Sequence, residues 1–180
     1  MKQLSKPAQT TARKKVQPDQ PFMASAETDN GLYDLFVGGL REMYWGENHL
    51  VKAIPKMIAA AGSANLKKAL TNHLKVTRTH ATRLENAFGN LGETLLARKC
   101  DACEGLVMSG EHVIENTDPG TSARDTGIIM SALKVENFEI TSYTGLIKLA
   151  QSLSKNDVSN LLQENLNEET DAANQLNALS

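Results

Sequence analysis

The chain has 180 residues, 41% hydrophobic but only 4% aromatic, with a formal net charge of −2 and a pI near 6.1. That is ample length for one continuous core, without the basic excess of a nucleic-acid binder or the acidity of a solvating tail. No apolar run reaches the ~18 residues of a bilayer span and the start of the chain lacks a secretory pattern, so no membrane association and a cytoplasmic compartment are expected.

Residues 1–30, MKQLSKPAQTTARKKVQPDQPFMASAETDN, hold almost no large apolar side chains and include Lys2, Lys6, Arg13, Lys14 and Lys15. They predict a flexible, locally basic, solubilising tail ahead of a domain over 31–180. From Asp29 the pattern turns helical, with Asp29 and Asn30 available as caps. Phe36, Leu40, Met43, Glu47, Leu50, Ile54, Met57 and Ala61 recur in steps of three and four, the apolar seam of a bundle helix. AAGSAN breaks it, and a second helix is predicted from about Asn65 to Leu91, its seam running Leu66, Leu70, His73, Thr77, His80, Leu84, Phe88.

A shorter helix is predicted between about Lys99 and Asn116, within a long connection closed by the turn TDPGTS. It carries Cys100 and Cys103, a spacing that places two small apolar side chains on one face rather than forming a redox or zinc motif. Ser122 and Asp125 are expected to form a capping box for a third long helix. Its seam is Ile129, Ala132, Glu136, Glu139, Tyr143, Leu146, Ala150 and Leu153. SKND (154–157) turns the chain into a fourth, with Val158, Leu162, Asn165, Glu169, Ala172, Leu176 and Leu179. A 92-residue offset aligns Glu47 with Glu139, Leu70 with Leu162, Leu84 with Leu176 and His80 with Ala172.

All four long seams turn polar near their midpoints. Glu47 and Thr77 each lie fifteen positions from Gly62, and Glu139 and Glu169 fifteen from Ser154. At ~1.5 Å per residue each pair stands roughly 22 Å from its own turn, so the four interruptions fall in one layer. An all-α protein of two antiparallel hairpins joined by a long crossover is the plan of a ferritin-like four-helix bundle, which places a dinuclear metal site at that layer. Its usual donor set is one Glu from each of two helices and Glu-x-x-His from each of the others. Glu47 and Glu139 occupy the single-Glu positions; Thr77-x-x-His80 keeps only the His, Glu169-x-x-Ala172 only the Glu. His73 and Glu136, a turn away, and Glu168 are substitutes.

Several carboxylates in a region of low polarity must share protons, pair with cations or bind metal, and neither Lys nor Arg stands at these positions. Carboxylates with imidazole suit iron or manganese, giving a candidate set of Glu47, His73, His80, Glu136, Glu139 and Glu169 for one or two ions. In that set Glu47 and Glu169 are terminal, Glu139 or Glu136 bridges, and His80 or His73 supplies nitrogen. A metal-free polar layer, with His73, Thr77 and His80 hydrogen-bonding the carboxylates, is the alternative. His49 and His112 fall off the seams and are expected to be solvated.

MYWGENHLVKAIPKM, NHLKVTRTHATRLE, KCDACEGL, VENFEITSYTGLIKLA and LLQENLNEETDAANQL together resemble the YciE/YciF bacterial stress proteins, a ferritin-like family. The resemblance spans about Leu32 to Ala178, omits the tail, and departs from the family's pattern at Gly46 and Asn137. It implies a ferritin-like domain forming a homodimer in the bacterial cytoplasm under osmotic or other stress. Two functional expectations follow: an iron or manganese protein disposing of peroxide or handling oxygen, or a non-enzymatic stress protein acting through dimer or partner contacts. Storage in a shell and nucleic-acid protection through the tail are weaker fits.

Overall fold

The computed structural model describes residues 28–179, which form five helices and no strand. These are α1 (Thr28–Ala60), α2 (Ala64–Leu91), α3 (Asp101–Glu115), α4 (Ser122–Ser152) and α5 (Asn156–Asn177). Residues 1–27 of the expected tail lie outside the described residues. Residues 28–30 belong to α1, so Asp29 and Asn30 sit inside the helix rather than capping it.

The helix ends follow local chemistry. Ser63 caps α2 by accepting from the Leu66 N–H. Gly92 ends α2 in the left-handed region (φ 69°), a conformation glycine adopts without the Cβ clash of other residues. The capping box expected at α4 is not formed. Thr121 caps that helix, its Oγ1 accepting from Arg124 N at 3.3 Å. Asp125 instead reaches the α1–α2 turn, accepting from Gly62 N at 2.6 Å and Ser63 N at 2.7 Å. Ionised carboxylates make the stronger backbone acceptors, and the turn offers two orphan donors together. Cys100 likewise lies outside α3 as its N-cap, Sγ accepting from Cys103 N at 3.4 Å. Both cysteines are free and buried, and burial pushes the Cys103 thiol up to about 12, with smaller contributions from Cys100 and Glu47. Both are packing residues.

α1 packs on α2 and on α4, and α5 packs on α4 and on α2, while α3 lies against α1 and α4. Buried Arg124 fixes the α3–α4 corner, its guanidinium donating to the carbonyls of Ile114 (2.6 Å) and Thr117 and to Thr117 Oγ1 (3.1 Å).

Two apolar clusters share the interior. One gathers Leu50, Ile54, Met57, Leu66, Leu70, Ile129, Ala132 and Leu176, with Cys103 and Val107 of α3. The other gathers Phe36, Leu40, Met43, Leu84, Phe88, Tyr143, Leu146, Ala150, Val158 and Leu162. Along α1, α2 and α5 the polar seam residues fall between members of the two, and on α4 Glu136 and Glu139 fall between Val135 and Tyr143. The polar layer is thus bounded by hydrocarbon above and below. Three of the four pairs of the 92-residue offset agree in burial, Glu47 with Glu139, Leu70 with Leu162 and Leu84 with Leu176, whereas His80 is buried and Ala172 half-buried.

Candidate metal centre

Of the six seam donors, Glu47, His80, Glu139 and Glu169 are 0% exposed and Glu136 2%, whereas the His73 side chain keeps 10%. Helical phase brings them together. Glu47 comes from α1, His73 and His80 from positions two turns apart on one face of α2, Glu136 and Glu139 from one face of α4, and Glu169 from α5.

Their donor atoms form two groups. One ligand atom each from His73, Glu136, Glu139 and Glu169 lie within 4.8 Å of one another, and the same holds for Glu47, His80 and Glu169. Glu169 is the side chain common to both groups, the place the sequence reading gave to Glu139 or Glu136. Its two oxygens face different imidazoles, Oε1 being 2.8 Å from His80 Nδ1 and Oε2 3.9 Å from His73 Nε2. His73 Nε2 also stands 3.2 Å from Glu136 Oε1, and His80 Nδ1 3.5 Å from Glu47 Oε1. Thr77 is buried in the layer but joins neither group; its hydroxyl donates to the His73 carbonyl at 2.9 Å, within its own helix.

Glu168 joins neither donor group. Its Oε2 lies 2.9 Å from His80 Nε2, and Arg83 holds the carboxylate in a fork, Nη1 to Oε2 at 2.5 Å and Nη2 to Oε1 at 3.1 Å. Arg83 Nε pairs with Glu164 at 2.9 Å. A carboxylate gripped this way accepts the Nε2–H, which leaves Nδ1 to face Glu47 and Glu169. On the opposite side Asn165 Nδ2 donates to the Tyr143 hydroxyl at 3.0 Å, and that hydroxyl donates in turn to Glu47 Oε1. The sequence reading marked Asn165 and Tyr143 as seam positions without assigning them this chain. Arg83 carried no periodic signal at all.

Electrostatics divide the acids. Burial drives the Glu139 carboxyl well above its ordinary value, and the negative charge of Glu169, Glu47 and Glu136 adds to it. Glu136 is raised for the same reasons. Burial raises Glu47 too, only partly offset by His80. Glu169 is lowered, because His80 and His73 outweigh its burial. Burial alone would depress His80, but the hydrogen bonds and charges of Glu169 and Glu47 hold it up at about 10; His73 is lowered, chiefly by burial. Without a metal, then, the His80–Glu169 contact favours the charged form of both partners, while burial and neighbouring negative charge disfavour ionisation of Glu136 and Glu139.

The layer is poorly satisfied by protein alone. Both oxygens of Glu139 and Glu47 Oε2 are buried without a hydrogen-bond partner among the described residues, as is His73 Nδ1. Buried acceptors of this kind each cost on the order of 1–3 kcal/mol. An oxygen-rich donor set with two imidazoles fits a pair of hard or borderline divalent ions such as manganese or iron, so the residues present suit the group that a ferritin-like plan implies.

Residues 31–180 match the family described as Domain of unknown function (DUF892). The chain belongs to the DUF892 family. It is 34% identical to protein YciF of Escherichia coli K12 over 137 residues, 76% of this chain and 82% of YciF. The solved structure of that E. coli stress protein superposes with a TM-score of 0.79 at 32% identity, covering 82% of this chain and 93% of the other. The structure of YcfI from Rhodopseudomonas palustris gives 0.79 at 36%, covering 83% and 94%. A Xanthomonas campestris protein at 18% identity shares the fold with a TM-score of 0.62, over 81% of this chain and 87% of its own. The chain is therefore a homologue of the stress protein YciF, all-helical over its described residues. Of its described helices, none is long and apolar enough to cross a membrane.

Proposed function

We propose that this is a stress-response protein with a ferritin-like four-helix domain over 31–180, binding one or two iron or manganese ions at the mid-bundle layer. The carrying observation is the pair of donor groups joined by Glu169, in which both oxygens of Glu139 and Glu47 Oε2 are buried without a hydrogen-bond partner among the described residues. His73, Glu136 and Glu139 would hold one ion, Glu47 and His80 the other, with Glu169 between them. The bound metal supplies redox chemistry toward peroxide or oxygen. The chain's own residues do the rest. Glu168 and Arg83 fix the His80 tautomer, Tyr143 and Asn165 orient Glu47, and the two apolar clusters keep bulk water from the layer. A cytoplasmic homodimer preceded by a basic tail completes the reading, on the strength of the YciF homology.

The test is metal content by plasma mass spectrometry on untagged protein purified without chelator, beside the Glu47→Ala/Glu169→Ala double variant. About one or two iron or manganese ions per chain, lost in the variant, is the expected result. Folded protein free of metal in both would refute it. A second reading has its own observation: both ring nitrogens of His80 are met by carboxylates of this chain, Nδ1 by Glu47 and Glu169 and Nε2 by Glu168. It makes the layer a metal-free polar network in a non-enzymatic interaction protein, and the same measurement separates the two.

A further inference from the structure

The half-motif Glu169-x-x-Ala172 has a structural counterpart on the protein surface. Where the full pattern would put an imidazole on α5, Ala172 leaves a methyl group, and beside it a cleft of about 160 Å³ opens between α2 and α5. At ~30 Å³ per water that is room for roughly five waters. The walls are apolar, including Ala69, Leu70, Val76 and Ala172, and the cleft also reaches His73.

Three observations connect the cleft to the donor layer. His73 is the one member of the six with more than 2% exposure. It lines the cleft while its Nε2 stands 3.2 Å from Glu136, and its Nδ1 is buried without a hydrogen-bond partner among the described residues. The polar lining is acidic or amide, with Asp171, Asn72, Gln175 and Glu168, the last already paired with Arg83, and no Lys or Arg lines it. Such a mouth disfavours anions.

We propose that this cleft is the port and binding pocket through which a small neutral donor molecule, of about two to five non-hydrogen atoms, reaches the metal position beside His73, in the space that the missing second histidine leaves. The inference rests on the metal reading for its ligand, but the cleft stands on geometry alone. Ala172 sets its width, the apolar walls favour an uncharged molecule, and Asp171 disfavours anions.

Imidazole is the matching probe, since it is the side chain the motif lacks and is largely neutral at pH 8. Protein loaded with cobalt(II), whose visible spectrum reports coordination, is titrated with imidazole, and the metal-free protein is followed by the methyl resonances of Ala69, Val76 and Ala172, with Ala150 as the remote control. A saturable spectral change is expected in the parent protein. Ala172→Phe should keep its cobalt stoichiometry and weaken the response at least tenfold. Ala172→His should show the change with no imidazole added and respond no further. Cobalt bound with no imidazole response, or an equal response in Ala172→Phe, overturns the proposal. No cobalt binding, with the three cleft methyls still shifting and Ala150 still, overturns the metal reading and leaves the cleft standing. Absence of methyl shifts as well overturns both.

Discussion

Glu139→Gln tests the polar layer most directly, because it changes chemistry while keeping shape. Glu139 is 0% exposed and neither of its oxygens has a hydrogen-bond partner among the described residues. Glu169, Glu47 and Glu136 all disfavour its ionisation. A neutral amide relieves the crowding and offers two N–H donors to neighbours that lack them. The gain in the metal-free protein should be comparable to satisfying one buried acceptor, about 1–3 kcal/mol. At ~3 °C per kcal/mol for a domain of this size, the melting temperature after chelation should rise by about 3–9 °C. Metal reverses the ranking. A ligand at a hundredfold excess over its dissociation constant stabilises the native state by ~2.7 kcal/mol, and an amide is a poor replacement for a carboxylate ligand. Thermal unfolding by circular dichroism, with chelator and then with manganese(II), reads both arms. A metal-free variant less stable than the parent would refute the claim that Glu139 is unsatisfied, and equal manganese stabilisation of both proteins would remove it from the ligand set.

Arg83→Leu releases Glu168 and so the tautomer of His80; metal affinity measured by chelator competition should fall about 10- to 100-fold with the helical content unchanged. Asp125→Ala strips the acceptor from Gly62 and Ser63 and should lower stability in urea by about 1–3 kcal/mol. Two glycines give a graded comparison. A Cβ at Gly127 would collide with Val113 Cγ1, and one at Gly110 would lie 2.7 Å from Met57 Cε. Val113 is β-branched and stiff where Met57 ends in a flexible thioether. Gly127→Ala should therefore be the more destabilising in urea unfolding, by about 1–3 kcal/mol.

The helices and their inward faces were legible because amphipathic periodicity is a local property. On α1 every seam position from Phe36 to Ala61 is buried, and on α2 His73 alone remains partly exposed. The tips of helices were less legible. Asp125 had the sequence signature of a capping partner, yet the donors it serves lie more than sixty residues away, and nothing local distinguishes the two uses. The same holds within the layer. Glu47, Glu136, Glu139 and Glu169 announced themselves as acids on apolar stripes. Arg83 did not, and Glu168 stood out only as a spare ligand, since a half-buried pair joined across 85 residues looks, in sequence, like ordinary surface charge.

The two incomplete motifs make sense together. A full set of two single glutamates and two Glu-x-x-His pairs amounts to four carboxylates and two imidazoles. The buried layer here also holds four carboxylates and two imidazoles: Glu47, Glu136, Glu139, Glu169, His73 and His80. Thr77 and Ala172 mark where a Glu and a His are missing, and Glu136 and His73 are the additions, each about one helical turn from the layer's regular positions. Random loss of a metal site would remove the selection that keeps buried acids and leave apolar replacements, because an unpaired buried carboxylate is costly. Keeping the donor inventory while moving two of its members is what a retained ligand requirement would produce. The relocation also has a geometric consequence: the second imidazole now comes from α2 rather than α5, and the α5 side, vacated at Ala172, is where the cleft opens.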